Sequence, residues 1–180
     1  MHLDLKETVA IPEGVSVTVD GTAATVKGEK GEITRKIGTK HTPLKVEGQT
    51  VVFAAKNGTR NHKRMIKTGM AHLKNMMRGV SEGHTYKLKI CAGHFPMNVS
   101  MKDGVLEVKN FIGESVPRHL QLMENADVNI DGEIITVTSV EKEVAGNQAS
   151  AIEKLTKRPG FDMRIFQDGI YITEKDGRPV

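Results

Sequence analysis

Ile11-Pro12-Glu13-Gly14-Val15-Ser16-Val17 returns 84 residues later as Phe95-Pro96-Met97-Asn98-Val99-Ser100-Met101, and the likeness continues beyond those positions. Asp20-Gly21 returns as Asp103-Gly104, Val26-Lys27 as Val108-Lys109, Gly31 as Gly113, and Glu47-Gly48 as Asp131-Gly132, always in the same order. Self-similarity at a nearly fixed spacing means that one supersecondary unit occurs twice. Each acidic-Gly pair sits between alternating or apolar runs, and a two-residue hairpin needs the positive φ that Asp and Gly tolerate. The flanking runs start at Val15, Ala24, Glu32, Pro43 and Thr50 in the first copy. In the second they start at Asn98, Val105, Val116, Ala126 and Glu133. Each copy therefore reads as a small antiparallel sheet. Gly28-Glu29-Lys30-Gly31 has the wrong glycine spacing for a phosphate-binding loop and reads as a turn.

A helical pattern follows each sheet. Ile66, Met70, Leu73, Met77 and Val80 recur at steps of four and three, the stripe of a helix packed on a sheet. Asn57 or Thr59 caps its start and Gly79 ends it. In the second copy Asn147 caps a shorter helix, Ala149, Ile152 and Leu155 face inward, and Pro159 stops it. Tyr86–Ile90 and Gly169–Thr173 add strands to the second unit. The fold is thus α+β, two tandem duplicated units, each a small antiparallel sheet with a helix on one face. The boundary is placed in Glu82-Gly83-His84, dividing residues 1–82 from residues 83–180.

Composition fits this plan and excludes others. The 180 residues are 38% hydrophobic, enough for a core, and the single cysteine, Cys91, leaves no disulfide or Cys-based zinc site. Residues 1–14 lack the basic flank and apolar run of a secretory signal, and no stretch approaches the roughly 18 apolar residues of a membrane span. A soluble cytoplasmic protein without membrane partners is expected. The net charge of +4 is regional: Gly48 to Ser81 holds no Asp or Glu but carries Lys56, Arg60, Lys63, Arg64, Lys67, Lys74 and Arg78. Such a segment points to a polyanion, because cations that meet phosphates release condensed counterions. At about 100° per residue, Arg60, Lys63, Lys67, Lys74 and Arg78 share one edge of the helix beside its apolar stripe.

Catalytic chemistry finds little footing. The seven histidines, His2, His41, His62, His72, His84, His94 and His119, form no HExxH or close ligand cluster, so no metal or other cofactor is expected. No GxSxG elbow is present, and Cys91 on an apolar strand reads as a small buried hydrophobe. Aromatic residues are 4% of the chain, which favours folded RNA read through shape and backbone over a base-stacking platform. Met65, Met70, Met76 and Met77 on one helix fit core packing, or else an adaptable groove. Around Pro159-Gly160, Lys154, Lys157, Arg158 and Arg164 either meet phosphates or serve as ordinary helix C-terminal charge. The expected helix start at Gly146-Asn147-Gln148 offers backbone N–H groups to a phosphate.

The phrases starting at Thr25, His72, Gly93, Lys109 and Phe166 (TVKGEKGEITRKI, HLKNMMRGV, GHFPMNV, KNFIGE, FQDGIYITEK) resemble the L-six family of large-subunit ribosomal proteins in its archaeal and eukaryotic form. The match runs from about Ile11 to Lys175. The resemblance implies an RNA-binding structural protein of the large ribosomal subunit with no catalytic activity. It also implies that the C-terminal unit docks on ribosomal RNA where translational GTPases bind, among neighbouring ribosomal proteins. The matching positions are His94, Phe95, Pro96, Asn147, Gln148, Lys154, Lys157, Arg158 and Arg164. Bacterial relatives carry a Lys- and Gly-rich segment near Pro159 that Gly160-Phe161-Asp162-Met163-Arg164 replaces, so that segment's contacts are not carried over. The charge count adds Lys63, Lys67, Lys74 and Arg78 as a second RNA-facing set. The competing reading is a protein-interaction module that binds an acidic partner through the basic, Met-rich helix.

Overall fold

The computed structural model describes residues 3–162 and 164–180. It divides into two compact units, one ending at Gly83 and the other beginning at His84.

In unit one the chain forms β1 (Leu3–Ala10), β2 (Ser16–Asp20), β3 (Ala23–Gly28), β4 (Gly31–Lys36), β5 (Leu44–Glu47), β6 (Thr50–Gly58) and α1 (Arg60–Ser81). These make two three-stranded antiparallel sheets, ordered β2-β3-β4 and β1-β6-β5. Their inward faces meet over Val17, Ala24, Val26, Ile33, Val51, Phe53 and Ala55, with Ile66, Leu73, Met76, Met77 and Val80 of α1 completing the core. Gly28 and Gly69 are the points of closest approach. A Cβ at Gly28 would lie 2.8 Å from the Val80 carbonyl oxygen, and one at Gly69 would lie 2.9 Å from the Phe53 ring and from Ile37. Thr59 caps α1 by accepting the His62 N–H (3.3 Å), and Asn57 does not take that role. The helix runs past Gly79 to Ser81, because buried Gly79 and Val80 still face the core; the turn of chain direction comes at Gly83, with φ +81°.

Unit two repeats the scheme with additions: β7 (His84–Cys91), β8 (Asn98–Lys102), β9 (Val105–Lys109), β10 (Arg118–Gln121), β11 (Asp127–Asp131), β12 (Ile134–Ser139), α2 (Lys142–Leu155), β13 (Gly169–Lys175) and β14 (Arg178–Pro179). One sheet is the meander β8-β9-β10, and the other is β11-β12-β7-β13-β14. The order β7-β12-β11 reproduces β1-β6-β5, and β13 and β14 extend it. The core gathers Leu88, Leu106, Val108, Phe111, Ile135, Val137, Ala145, Ala149, Ile152 and Ile170.

All four acidic-Gly pairs close hairpins, in two geometries. Asp20, Glu47 and Asp131 are the last residues of their strands and only the following glycine takes positive φ, whereas Asp103 and Gly104 both enter the turn, at +51° and +75°. The largest departure from the sequence reading is α2. It begins at Lys142 after Glu141, so Asn147 does not cap it and Gly146, Asn147 and Gln148 lie within the helix. Cys91, expected to be buried, is half-buried at the end of β7.

Candidate functional site

Three loops converge at one end of unit two. The β7–β8 loop carries Gly93, His94, Phe95 and Pro96; the β9–β10 loop carries Asn110 to Glu114; the α2–β13 loop carries Lys157 to Asp168. Asp168 ties the first to the third. Buried, it accepts the backbone N–H groups of Gly93 and His94, and its Oδ2 lies 3.3 Å from His94 Nδ1. Burial pushes its carboxyl up, but the two N–H groups and the His94 side chain outweigh burial and hold it below the ordinary carboxylate range. Asn110 ties the first to the second by donating from Nδ2 to the Pro96 carbonyl oxygen (3.0 Å). The Phe95 ring, 43% exposed, packs over Gly113.

Arg118, at the start of β10, ties the second loop to the end of α2. Its guanidinium donates to both carboxylate oxygens of Glu114 (2.7 and 2.8 Å) and to the Leu155 carbonyl oxygen (2.6 Å), and it stacks 4.4 Å over the Phe111 ring. The bonds from Arg118 hold the Glu114 carboxyl below its ordinary range, against a smaller opposing effect of burial. Ile112 sits between them at φ +47°, ψ +39°, a left-handed conformation that a β-branched residue adopts only under constraint. These anchors frame an open concavity of about 350 Å³ walled by Phe111, Ile112, Phe161, Phe166, Ile170 and Tyr171. Lys154, Lys157 and Arg158 also line it. Such a site offers an aromatic floor and a cationic edge.

A second cationic surface lies on α1. Lys63 and Lys74 are exposed, Lys67 pairs with Glu7 (2.7 Å), and Arg78 pairs with Glu82 (3.1 Å). Met76 and Met77 are buried and Met70 half-buried, so of the helix's four methionines Met65 alone is largely exposed and no methionine groove forms.

The model of the family described as ribosomal protein L6 matches residues 11–83. The large ribosomal subunit protein uL6 of Methanococcus vannielii is 40% identical over 97% of this chain and 96% of its own length. Those of Methanosarcina mazei (40%, over 97% and 99%) and Methanothrix thermoacetophila (37%, over 92% and 94%) are similarly close. The chain belongs to the ribosomal protein L6 family. It is a ribosomal protein of the archaeal branch and not an enzyme.

Within this L6 chain the residues singled out from the sequence fall into three places. His94, Phe95, Pro96, Lys154, Lys157, Arg158 and Arg164 gather on the three-loop end; Lys63, Lys67, Lys74 and Arg78 lie along α1; Asn147 and Gln148 join neither group. Asn147 is exposed within α2, about 12 Å along the axis from Leu155. Gln148 is fully buried and accepts the Met123 N–H at Oε1 (2.9 Å). Two of the four Lys and Arg side chains at the three-loop end are already engaged: Arg158 stacks 4.2 Å over Phe161, and Arg164 forms a double contact with Asp162 (2.8 and 3.1 Å). Met163 and His2 lie outside the described residues. His94 and His119 face different carboxylates, Asp168 and Glu107, so they do not converge in a pocket. Arg118 and Asp168, which build the L6 loop end, were not singled out. Asp168 has its partners 74–75 residues away, and Arg118, although Glu114 lies only four residues before it, reaches α2 through Leu155, 37 residues away, so the sequence does not show that they join loops.

Proposed function

We propose that this chain is a structural protein of the large ribosomal subunit that binds folded ribosomal RNA, with the three-loop end of unit two as its principal docking face. It works on the ribosome in the cytoplasm, among other ribosomal proteins, close to where translational GTPases bind. The observation that carries the reading is the convergence of His94, Phe95, Pro96, Lys154 and Lys157 on one cross-braced end of a unit that belongs to a ribosomal protein family. Rigid loops suit this task, since an RNA fold is recognised by its shape and backbone and a pre-set surface loses little entropy on docking. The Lys154 and Lys157 side chains are exposed and the bracing contacts described above do not use them, so they are the cations best placed to meet phosphates. Arg158 and Arg164 hold the loop and present their outer faces. The α1 edge, with Lys63 and Lys74 foremost, supplies a second and less specific electrostatic contact.

No helix of the described residues is long and apolar enough to cross a membrane. The test is docking of the full chain to large-subunit ribosomal RNA over a range of salt. Replacing Lys154, Lys157, Arg158 and Arg164 by Gln lowers the slope of log affinity against log salt by about 2 to 3 units. An unchanged affinity and slope would remove the docking face from unit two.

A further inference from the structure

Unit one carries a second concavity, on the face of the β1-β6-β5 sheet that points away from α1. Phe53 points towards α1, so Val52, Ala54 and Lys56, which alternate with it along β6, line the opposite face. Lys6 of β1 and Lys45 of β5 are paired with Ala54 and Val52 and stand on that same face. Lys40 and His41 of the β4–β5 loop and His62 of α1 close it, around about 540 Å³.

Three features set its chemistry. The lysines outnumber the acids: Lys6 has a loose partner in Glu47 (3.8 Å), and the nearby Asp4 carboxylate is taken by the Asn57 N–H (2.9 Å). The first turn of α1 holds no acidic residue, and its capping box uses His62 where Glu or Gln is usual, so the positive end of a 22-residue helix is not neutralised from within. His62 Nδ1 accepts the Thr59 N–H (3.4 Å), which leaves the proton of the neutral ring on Nε2 as a free donor. His41 and His62 are stacked, with centroids 5.7 Å apart and planes inclined by 20°.

We propose that this concavity is a second RNA site, in which Lys40, Lys45 and Lys56 meet the phosphates of an unpaired ribosomal RNA segment and one base stacks on the His41–His62 pair. Cations alone would suit an acidic peptide equally. The imidazole stack decides for RNA: a carboxylate would use only a ring-edge N–H, whereas the parallel faces of His41 and His62 extend a stack on which a base can lie. The proposal rests on the ribosomal reading of the chain.

The test titrates the full chain with a mixed-sequence RNA octamer, and in parallel with polyglutamate, following the side-chain resonances of His41 and His62 by NMR. RNA shifts both resonances, Lys40→Gln/Lys45→Gln/Lys56→Gln lowers the salt slope by about 2 units, and His41→Ala weakens binding at least about fivefold. All four positions are exposed, and an unchanged melting temperature verifies the fold of each variant. Unmoved histidines, in a chain that still docks on large-subunit RNA through unit two, would overturn this second site alone. Polyglutamate shifts as large as those from RNA would make the face an acidic-protein site and overturn the RNA assignment. A chain that neither shifts nor docks would overturn both readings.

Discussion

Arg118 is the residue on which the geometry of the docking end depends most, because one guanidinium joins Glu114, the last turn of α2 and the Phe111 ring. Arg118→Leu leaves the Glu114 carboxylate and the Leu155 carbonyl without their donor, and we expect a loss of about 2 to 3 kcal/mol in urea unfolding. Glu114 and Asp168 give the same end a pH dependence. Both carboxyls are held below their ordinary range in the folded chain, so the stability they contribute is complete above about pH 5. It is lost as pH falls through the folded values. Asp168→Asn should therefore flatten the fall in stability below about pH 4, and an unfolding series at stepped pH checks it. Gln148 makes the opposite case. Its buried Oε1 serves the Met123 backbone and its Nε2 has no partner, so Gln148→Leu should cost about 1 to 3 kcal/mol while leaving RNA affinity of the folded chain unchanged.

Among elements, α1 is set by how closely it approaches the sheets. Gly28→Ala drives a methyl against the Val80 backbone oxygen, which cannot step aside, and should cost about 2 to 3 kcal/mol. Gly69→Ala crowds the side chains of Phe53 and Ile37 and touches the Ile37 backbone oxygen only at ordinary contact distance (3.6 Å), and it gains about 1 kcal/mol of helix propensity, so thermal unfolding should show the smaller loss there. The repeat made most of these elements legible, because hairpin turns demand Gly at fixed places and apolar periodicity marks the strands between them. It also held a signal for β1, since shifting Tyr86–Ile90 back by the repeat spacing lands within Leu3–Ala10. That strand is rich in Asp, Lys and Glu, and its partner β6 lies some forty residues away, so its own pattern is weak. The start of α2 departs from the sequence expectation for a reason visible in the packing. Gly146 and Asn147 are poor helix formers and look like a cap. In the fold Gly146 sits where a Cβ would come within 3.3 Å of the Tyr86 hydroxyl, and the burial of Ala145, Gln148 and Ala149 overrides local propensity. The division of each unit into two sheets was hidden, because strand pairing between distant segments leaves no local trace.

At the scale of the whole molecule, the modest net charge conceals cationic surfaces on both units: the α1 edge and the Lys40-Lys45-Lys56 face on one, the three-loop end on the other. An RNA-binding protein built this way, with folded surfaces supplying the charge, should show a salt dependence that each set of Gln substitutions reduces separately, additively to within error if the sets do not interact. Shape as well as charge should hold it, through Phe95, Pro96 and the aromatic concavity. The most direct test is sedimentation of a tagged full chain through a sucrose gradient at moderate and high salt, with RNA crosslink mapping of the large-subunit peak. We expect comigration with the large subunit that survives high salt, with crosslinks at Lys154 and Lys157 and on the His94–Pro96 loop. A chain that stays at the top of the gradient, or comigrates with no crosslink on that end of unit two, would contradict this expectation.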